Sequence, residues 1–167
     1  KAIDVIQNHH PKIESICECG FGSGVISIEL AKRFPHLQIH AWDISKKATQ
    51  LAKENSQRHH STKINWIQGD FFKDLDQVYS IAQKSHCLII SNPPYIPSDD
   101  IQGLNRSVKE YEPKTALNGG KSGLIFYKRL FKGWYHIPII MMAEIGIGQK
   151  NLIETLSSQY PEFNIQF

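Results

Sequence analysis

Two clusters in this 167-residue chain have the residue types and spacing for chemistry, and the more telling is Asn92-Pro93-Pro94-Tyr95. Successive prolines fix the backbone and supply no N–H, so the Asn92 side-chain oxygen and the Pro93 carbonyl can both be held outward as acceptors. Together they can grip an NH2 group. With both hydrogens engaged, the nitrogen is oriented for attack and its developing positive charge is stabilised. Tyr95 would stack on the planar group that carries the nitrogen. No general base is needed first, because the proton can leave once the nitrogen is positive. Asn92, Pro93 and Tyr95 are therefore the candidate catalytic residues, and Pro94 joins them as a substrate contact. The ordinary structural reading of the same four residues is an Asn-Pro turn with an anchoring tyrosine.

The second cluster is Glu18-Cys19-Gly20-Phe21-Gly22-Ser23-Gly24. Glycines at a strand-to-helix turn let the backbone bend sharply and approach a ligand without a clashing side chain, as for a nucleotide-like cofactor. Asp43 follows about 20 residues later, where a carboxylate can accept from both ribose hydroxyls. Asp70 could accept an adenine amino hydrogen, with Phe71 and Phe72 offering an aromatic face to the base. The spacing G-x-G-x-G departs from the G-x-G-x-x-G of dinucleotide sites, whose helix N-terminus holds a pyrophosphate. Glu18 would repel a pyrophosphate but suits a positive amino or sulfonium group. S-adenosyl-L-methionine is the cofactor expected.

Strand ends must carry these residues. Ile13–Cys19 reads as a buried strand that runs into the glycines, followed by a helix from Val25 to Phe34. Leu37–Trp42 is a second strand closed by Asp43, and Ser45 can cap the next helix. Lys63–Gln68 and Cys87–Ile90 make the third and fourth strands, with a short helix around Leu75–Gln83 between them. Asn92 then stands at the carboxyl edge of the sheet, where open α/β folds place their ligands. Residues 96–120 show no period and read as an uninterrupted loop, a candidate lid. A helix from Ser122 to about Trp134, a strand Ile137–Ala143, a helix Gln149–Ser158 and a last strand from Phe163 complete an α/β order. Such alternation implies a mostly parallel sheet with helices on both faces.

Composition names no partner: 19 basic and 16 acidic side chains leave a net charge of +3 with no basic block. No apolar run approaches the roughly 20 residues that span a bilayer. Cys17, Cys19 and Cys87 lie in apolar runs and are odd in number, which argues for packing in a reducing cytoplasm rather than a disulfide framework. His9-His10 and His59-His60 lack partners at metal-ligand spacing, so no metal site is expected. Glu144, after the fifth strand, reads equally as a cleft residue, an ion-pair partner or a cap. The chain begins at Lys1, partway into a helical pattern, as a fragment would.

The order of motifs resembles the release-factor glutamine methyltransferases, the HemK/PrmC family, over nearly the whole chain. The residues that carry the resemblance are Glu18–Gly24, Trp42-Asp43, Gly69-Asp70-Phe71-Phe72, Asn92–Ile96, Tyr111-Glu112-Pro113-Lys114-Thr115-Ala116-Leu117, and Glu144-Ile145-Gly146 with Gln149. Asn-Pro-Pro-Tyr alone is shared with DNA adenine methyltransferases, whereas the Glu112-Pro113 segment is similar to the glutamine branch. The resemblance implies a Rossmann-like class I S-adenosylmethionine-dependent methyltransferase fold, in one catalytic domain over 1–167. Family members add an N-terminal helical docking domain and a final strand pair, and this chain shows neither in full. The implied reaction is methylation of a glutamine side-chain amide in the Gly-Gly-Gln motif of peptide-chain release factors, by a cytoplasmic monomer without membrane or direct nucleic-acid contacts. Implied cofactor contacts are Glu18, Gly20, Phe21, Gly22, Ser23, Gly24, Asp43, Phe71 and Asn92, to which the strand-end position adds Asp70; implied substrate contacts are Asn92 to Tyr95. Many family members have tryptophan where Phe71 stands. The rival readings are a DNA adenine amino-methyltransferase, a ribosomal-protein glutamine methyltransferase, a methyltransferase-fold binding module without activity and a nicotinamide dehydrogenase.

Overall fold

The computed structural model describes residues 1–9, 12–61, 63–133 and 140–167. In chain order it runs α1 (Ala2–Asp4), a π-helical turn (Val5–His9), β1 (Ser15–Cys19), α2 (Val25–Arg33), β2 (Gln38–Asp43), α3 (Lys46–Arg58), β3 (Ile64–Gln68), α4 (Leu75–Lys84) and β4 (Cys87–Ser91). A 3-10 turn (Asp100–Gly103), α5 (Arg106–Tyr111), α6 (Lys114–Leu117), α7 (Ile125–Gly133), β5 (Ile140–Ala143) and α8 (Lys150–Ser157) follow. Contacts divide the chain into two compact units. Residues 1–92 with β5 form the first, and the rest of the chain from Pro93 onward forms the second.

The first unit holds a five-stranded sheet in the order β3-β2-β1-β4-β5, with every neighbouring pair parallel. Local signals set the element ends. Gly24 enters α2 with a left-handed φ of 81°, and the helix stops at Phe34, ahead of Pro35. Lys32 and Arg33 in its last turn oppose the negative end of the helix dipole. Ser45 caps α3, its side chain accepting from the Ala48 N–H at 3.2 Å. β1 and β4 are buried at all five positions, as strands covered on both faces must be.

Register assigns the two faces. Ile16, Ile39, Ile64, Leu88 and Ile140 are successive partners across the sheet, with Ala41, Trp66, Ile90 and Met142 in the row above. This face forms one apolar core with Ile28 and Leu30 of α2 and Ala52 of α3. On the opposite face Cys17, Trp42 and Ile89 are buried, α4 packs against β1, and Val78 of α4 is fully buried. Cys17, Cys19 and Cys87 are buried and in no disulfide, as their apolar settings predict.

The second unit has its own buried side chains. Phe126, Tyr127, Leu130 and Phe131 line one side of α7, and Ile153 and Leu156 do the same on α8.

Two expectations fail. Residues 96–120 are not an uninterrupted loop: they hold the 3-10 turn, α5 and α6, and Ile96 bridges to Asn118. These helices span less than two turns each, too short for a visible period, and Glu112 before Pro113 is forced extended (ψ 134°), which separates α5 from α6. Nor is there a strand from Phe163. That ring packs 5.1 Å from Phe131, which also stacks on Tyr160 at 5.6 Å, so tertiary packing outweighs the strand preference of an aromatic residue. The predicted helix end at Trp134 and the first part of the predicted strand, 137–139, lie outside the described residues, as does His10.

Candidate active site

Strand register builds the site in the first unit. Cys19, the last residue of β1, pairs with Trp42 on one side and Ser91 on the other, so Gly20, Asp43 and Asn92 leave the sheet from one edge. The edge is pinned: Ser91 Oγ donates to the Cys19 carbonyl at 2.7 Å, and Gly20 N–H donates to the Trp42 carbonyl at 2.8 Å. The strand order reverses between β1 and β4, which makes this a topological switch point.

Asp43 sits half-buried at its centre. Its Oδ2 accepts from Gly22 N–H at 2.9 Å and its Oδ1 from Ser45 N–H at 2.8 Å. A carboxylate has about four acceptor positions, so capacity for two hydroxyl donors remains on a group that the backbone already orients. Gly20 and Gly22 are exposed, with φ of +77° and +54°, and a Cβ on either would meet nothing within 4 Å. Gly24 differs. A Cβ there would come within 2.7 Å of Trp66 and 3.0 Å of Ala52, so this glycine serves packing. Phe21 likewise turns inward, 3% exposed and edge-on to Trp66 at 4.9 Å. Ser23 is exposed, its carbonyl accepting from Asn55 Nδ2 at 3.0 Å.

Glu18 is 1% exposed and accepts from both the hydroxyl and the backbone N–H of Ser27 in the first turn of α2. Burial pushes its pKa up to about 7 against the pull of those hydrogen bonds, and the negative Asp43 adds to the rise. Asp70 Oδ1 accepts from Phe72 N–H at 3.1 Å. Phe71 is 2% exposed, edge-on to Trp42 at 5.5 Å, and the half-buried Phe72 is the more accessible ring.

Asn92 is exposed, and its side chain bonds to no described residue. The remainder of the motif belongs to the second unit, with Pro93 buried and Pro94 and Tyr95 half-buried. Gln149, 6% exposed, donates from Nε2 to the Tyr95 carbonyl at 2.8 Å, while its Oε1 accepts from Gly146 N–H at 2.9 Å. Gly123 and Gly119 let the chain pass close: a Cβ at Gly123 would fall 2.4 Å from the Tyr95 carbonyl oxygen, and one at Gly119 would fall 2.8 Å from that of Pro94. The Tyr95 hydroxyl donates to Glu144 Oε1 at 3.1 Å. Among the sequence readings Glu144 was left between three roles, and no role was given to Gln149; the short Gly146-x-x-Gln149 spacing was the available signal.

A cavity of about 380 Å³ lies at the opposite end of β2 and β3, lined in part by Pro35, Gln38 and Lys63. It shares no residue with the switch point. No group of three His, Cys, Asp or Glu among the described residues could hold a metal ion, and no described helix is long and apolar enough to cross a membrane.

The family model of the methyltransferase small domain matches residues 3–107, which include the glycine loop, Asp43 and Asn92 to Tyr95. The chain belongs to that family. Similar curated proteins are the release factor glutamine methyltransferases of Geobacter sulfurreducens, 37% identical over 153 residues, and of Bacillus anthracis, 36% identical over 155. The matches cover 86% and 90% of this chain, and 49% and 53% of theirs. The chain thus spans about half the length of these relatives. Among solved structures, a ribosomal protein L11 methylase from Lactobacillus delbrueckii subsp. bulgaricus superposes with a TM-score of 0.58 at 17% identity, covering 95% of this chain and 65% of that one. A putative S-adenosyl-L-methionine-dependent methyltransferase from Methanococcus maripaludis gives 0.51 at 22% identity, with 95% and 59% covered. The Rossmann-like class I methyltransferase fold holds, with all five strands parallel.

Proposed function

We propose that this protein methylates the side-chain amide nitrogen of a glutamine, in the Gly-Gly-Gln motif of a peptide-chain release factor, with S-adenosyl-L-methionine as cofactor. The observation that carries the reading is Asn92: an exposed amide with no bond to a described residue, directly after the strand that pairs with β1, opening an Asn-Pro-Pro-Tyr motif. The names of the curated relatives favour glutamine over adenine.

The residues present suit the cofactor. Asp43 would take the ribose hydroxyls, and the open backbone of Gly20 and Gly22 would lie against the amino-acid portion. Glu18 would supply negative charge beneath the cationic end, with Phe21, Ser23 and Gly24 shaping the loop from behind. Asp70 and Phe71 would border the base. When bound, the cofactor offers an electrophilic methyl carbon on a sulfonium sulfur.

An amide nitrogen is a poor nucleophile because its lone pair is delocalised into the carbonyl. Asn92 Oδ1 and the Pro93 carbonyl would accept its two hydrogens, hold the lone pair toward the methyl carbon and stabilise the growing positive charge. Pro94 keeps the turn rigid and Tyr95 covers the amide plane. Once methylated and positively charged, the amide nitrogen would lose a proton to solvent, so these residues need supply no base before attack. The single catalytic domain over 1–167, the monomeric state, the cytoplasmic setting and the absence of direct nucleic-acid contact belong to the same proposal.

The full-length protein, incubated with methyl-labelled cofactor and a release factor, is expected to label the wild-type factor but not its Gly-Gly-Gln Gln→Ala variant. Label without dependence on that glutamine, or label on duplex DNA instead, overturns the reading.

A further inference from the structure

Tyr95 is held at both ends within the second unit. Its carbonyl accepts from Gln149, whose own amide oxygen is occupied by Gly146 N–H, and its phenol donates to Glu144 Oε1. Glu144 is itself fixed at the backbone, because the phenol of Tyr127, 2% exposed, donates to its carbonyl at 2.6 Å. A buried tyrosine therefore anchors the Glu144 main chain, while the Glu144 carboxylate bonds the phenol of the half-buried Tyr95. A side chain placed to stack on a planar amide can rotate about χ1 and χ2, and an anchored phenol restricts both.

We propose that Glu144 is a positioning residue for methyl transfer: it fixes the Tyr95 ring, through the phenol, in the orientation that receives the planar amide of the substrate. The inference rests on the reading of Asn92 to Tyr95 as the substrate grip. Glu144 acts through Tyr95 and need not touch the substrate. The phenol pKa is raised, by burial first and by the Glu144 hydrogen bond and charge next, so at neutral pH Tyr95 stays protonated and able to donate. Glutamine at 144 keeps an acceptor oxygen in place, whereas alanine removes it.

Two measurements on the full-length protein test this. In methylation of a release factor, Glu144→Ala and Tyr95→Phe are each expected to lower kcat/KM by about fivefold to tenfold, the worth of one hydrogen bond. Glu144→Gln should lose less than twofold, the double variant Tyr95→Phe/Glu144→Ala should be no worse than either single, and cofactor Kd should not move. Additive losses, or Glu144→Gln as impaired as Glu144→Ala, would show Glu144 acting on the substrate by its charge and overturn the proposal. The second readout needs no substrate: the NMR signal of the Tyr95 ring carbon bearing the hydroxyl should shift in Glu144→Ala and stay near wild type in Glu144→Gln. An unchanged signal in both overturns it even if either variant loses activity through weakened folding. If the wild-type protein labels no release factor, the substrate reading fails while the ring signal still decides the role of Glu144.

Discussion

Glycine serves different ends at Gly20 and Gly22, in the loop after β1, and in the segments around Tyr95. In the loop after β1, Gly20 and Gly22 take left-handed conformations with free space where a side chain would be. In the second unit Gly119, Gly123 and Gly146 sit where a Cβ would strike the chain itself, at Pro94, Tyr95 and Gln149. The first set leaves backbone open to a ligand; the second brings three segments together around a buried glutamine. Asn92 and Tyr95 repeat the contrast three residues apart, one side chain bonded to no described residue and the other tied. On the proposed reading, the group that would bond a substrate has no bond to a described residue, and the group that would align the substrate is held.

The sharpest test of this division is Asn92→Ala. It should reduce kcat/KM on the order of a hundredfold or more, the usual loss when one transition-state hydrogen-bonding group is removed. Its melting temperature should stay near wild type, since the side chain is exposed and bonds to no described residue; a parallel loss of stability would mean that Asn92 belongs to the packed set. Gly123→Ala should do the reverse. With φ +71° and two contacts at 2.4 Å, it is expected to cost about 2–3 kcal/mol in urea denaturation. An unaltered midpoint would refute the close-packed description.

Glu18 tests the buried side of the glycine loop. Its folded pKa of about 7 lies above the ordinary 4.5, so the folded state binds more protons between those values. Stability from this group is greatest below pH 4.5 and is lost as pH rises towards 7, at up to about 1.4 kcal/mol per pH unit. Urea midpoints of wild type and Glu18→Gln should therefore diverge in favour of the variant as pH rises from 5 to 8. A constant difference would place the carboxylate in water. The smallest effect is expected from Gly22→Ala, about 1 kcal/mol for the left-handed conformation with no steric clash. Calorimetry should show weaker cofactor binding out of proportion to that loss; if stability alone suffers, the loop is not a ligand surface.

Much of the first unit was legible because its signals are local. A strand buried on both faces is a continuous apolar run, a Ser at position 45 caps α3 in the expected way, and carboxylates at strand ends follow from a parallel sheet. Residues 96–120 and 163–167 were misread for opposite reasons. Short helices generate no period, and an aromatic residue near a chain end has strand preference that only its packing partners can overrule.

The site divides the same way. Sequence by itself marked out the residues suited to chemistry, because Asn-Pro-Pro-Tyr, the glycine spacing and the aspartates are set by covalent order and by what each residue can donate or accept. Tertiary structure alone decided how each is employed. It separated Gly24, needed for Trp66 and Ala52, from Gly20 and Gly22; it buried Glu18 against Ser27; and it brought Glu144 and Gln149 to Tyr95 across about 50 residues of chain. Spacing along the chain fixes neighbours within a turn or two, whereas contacts that close long loops depend on how whole elements pack.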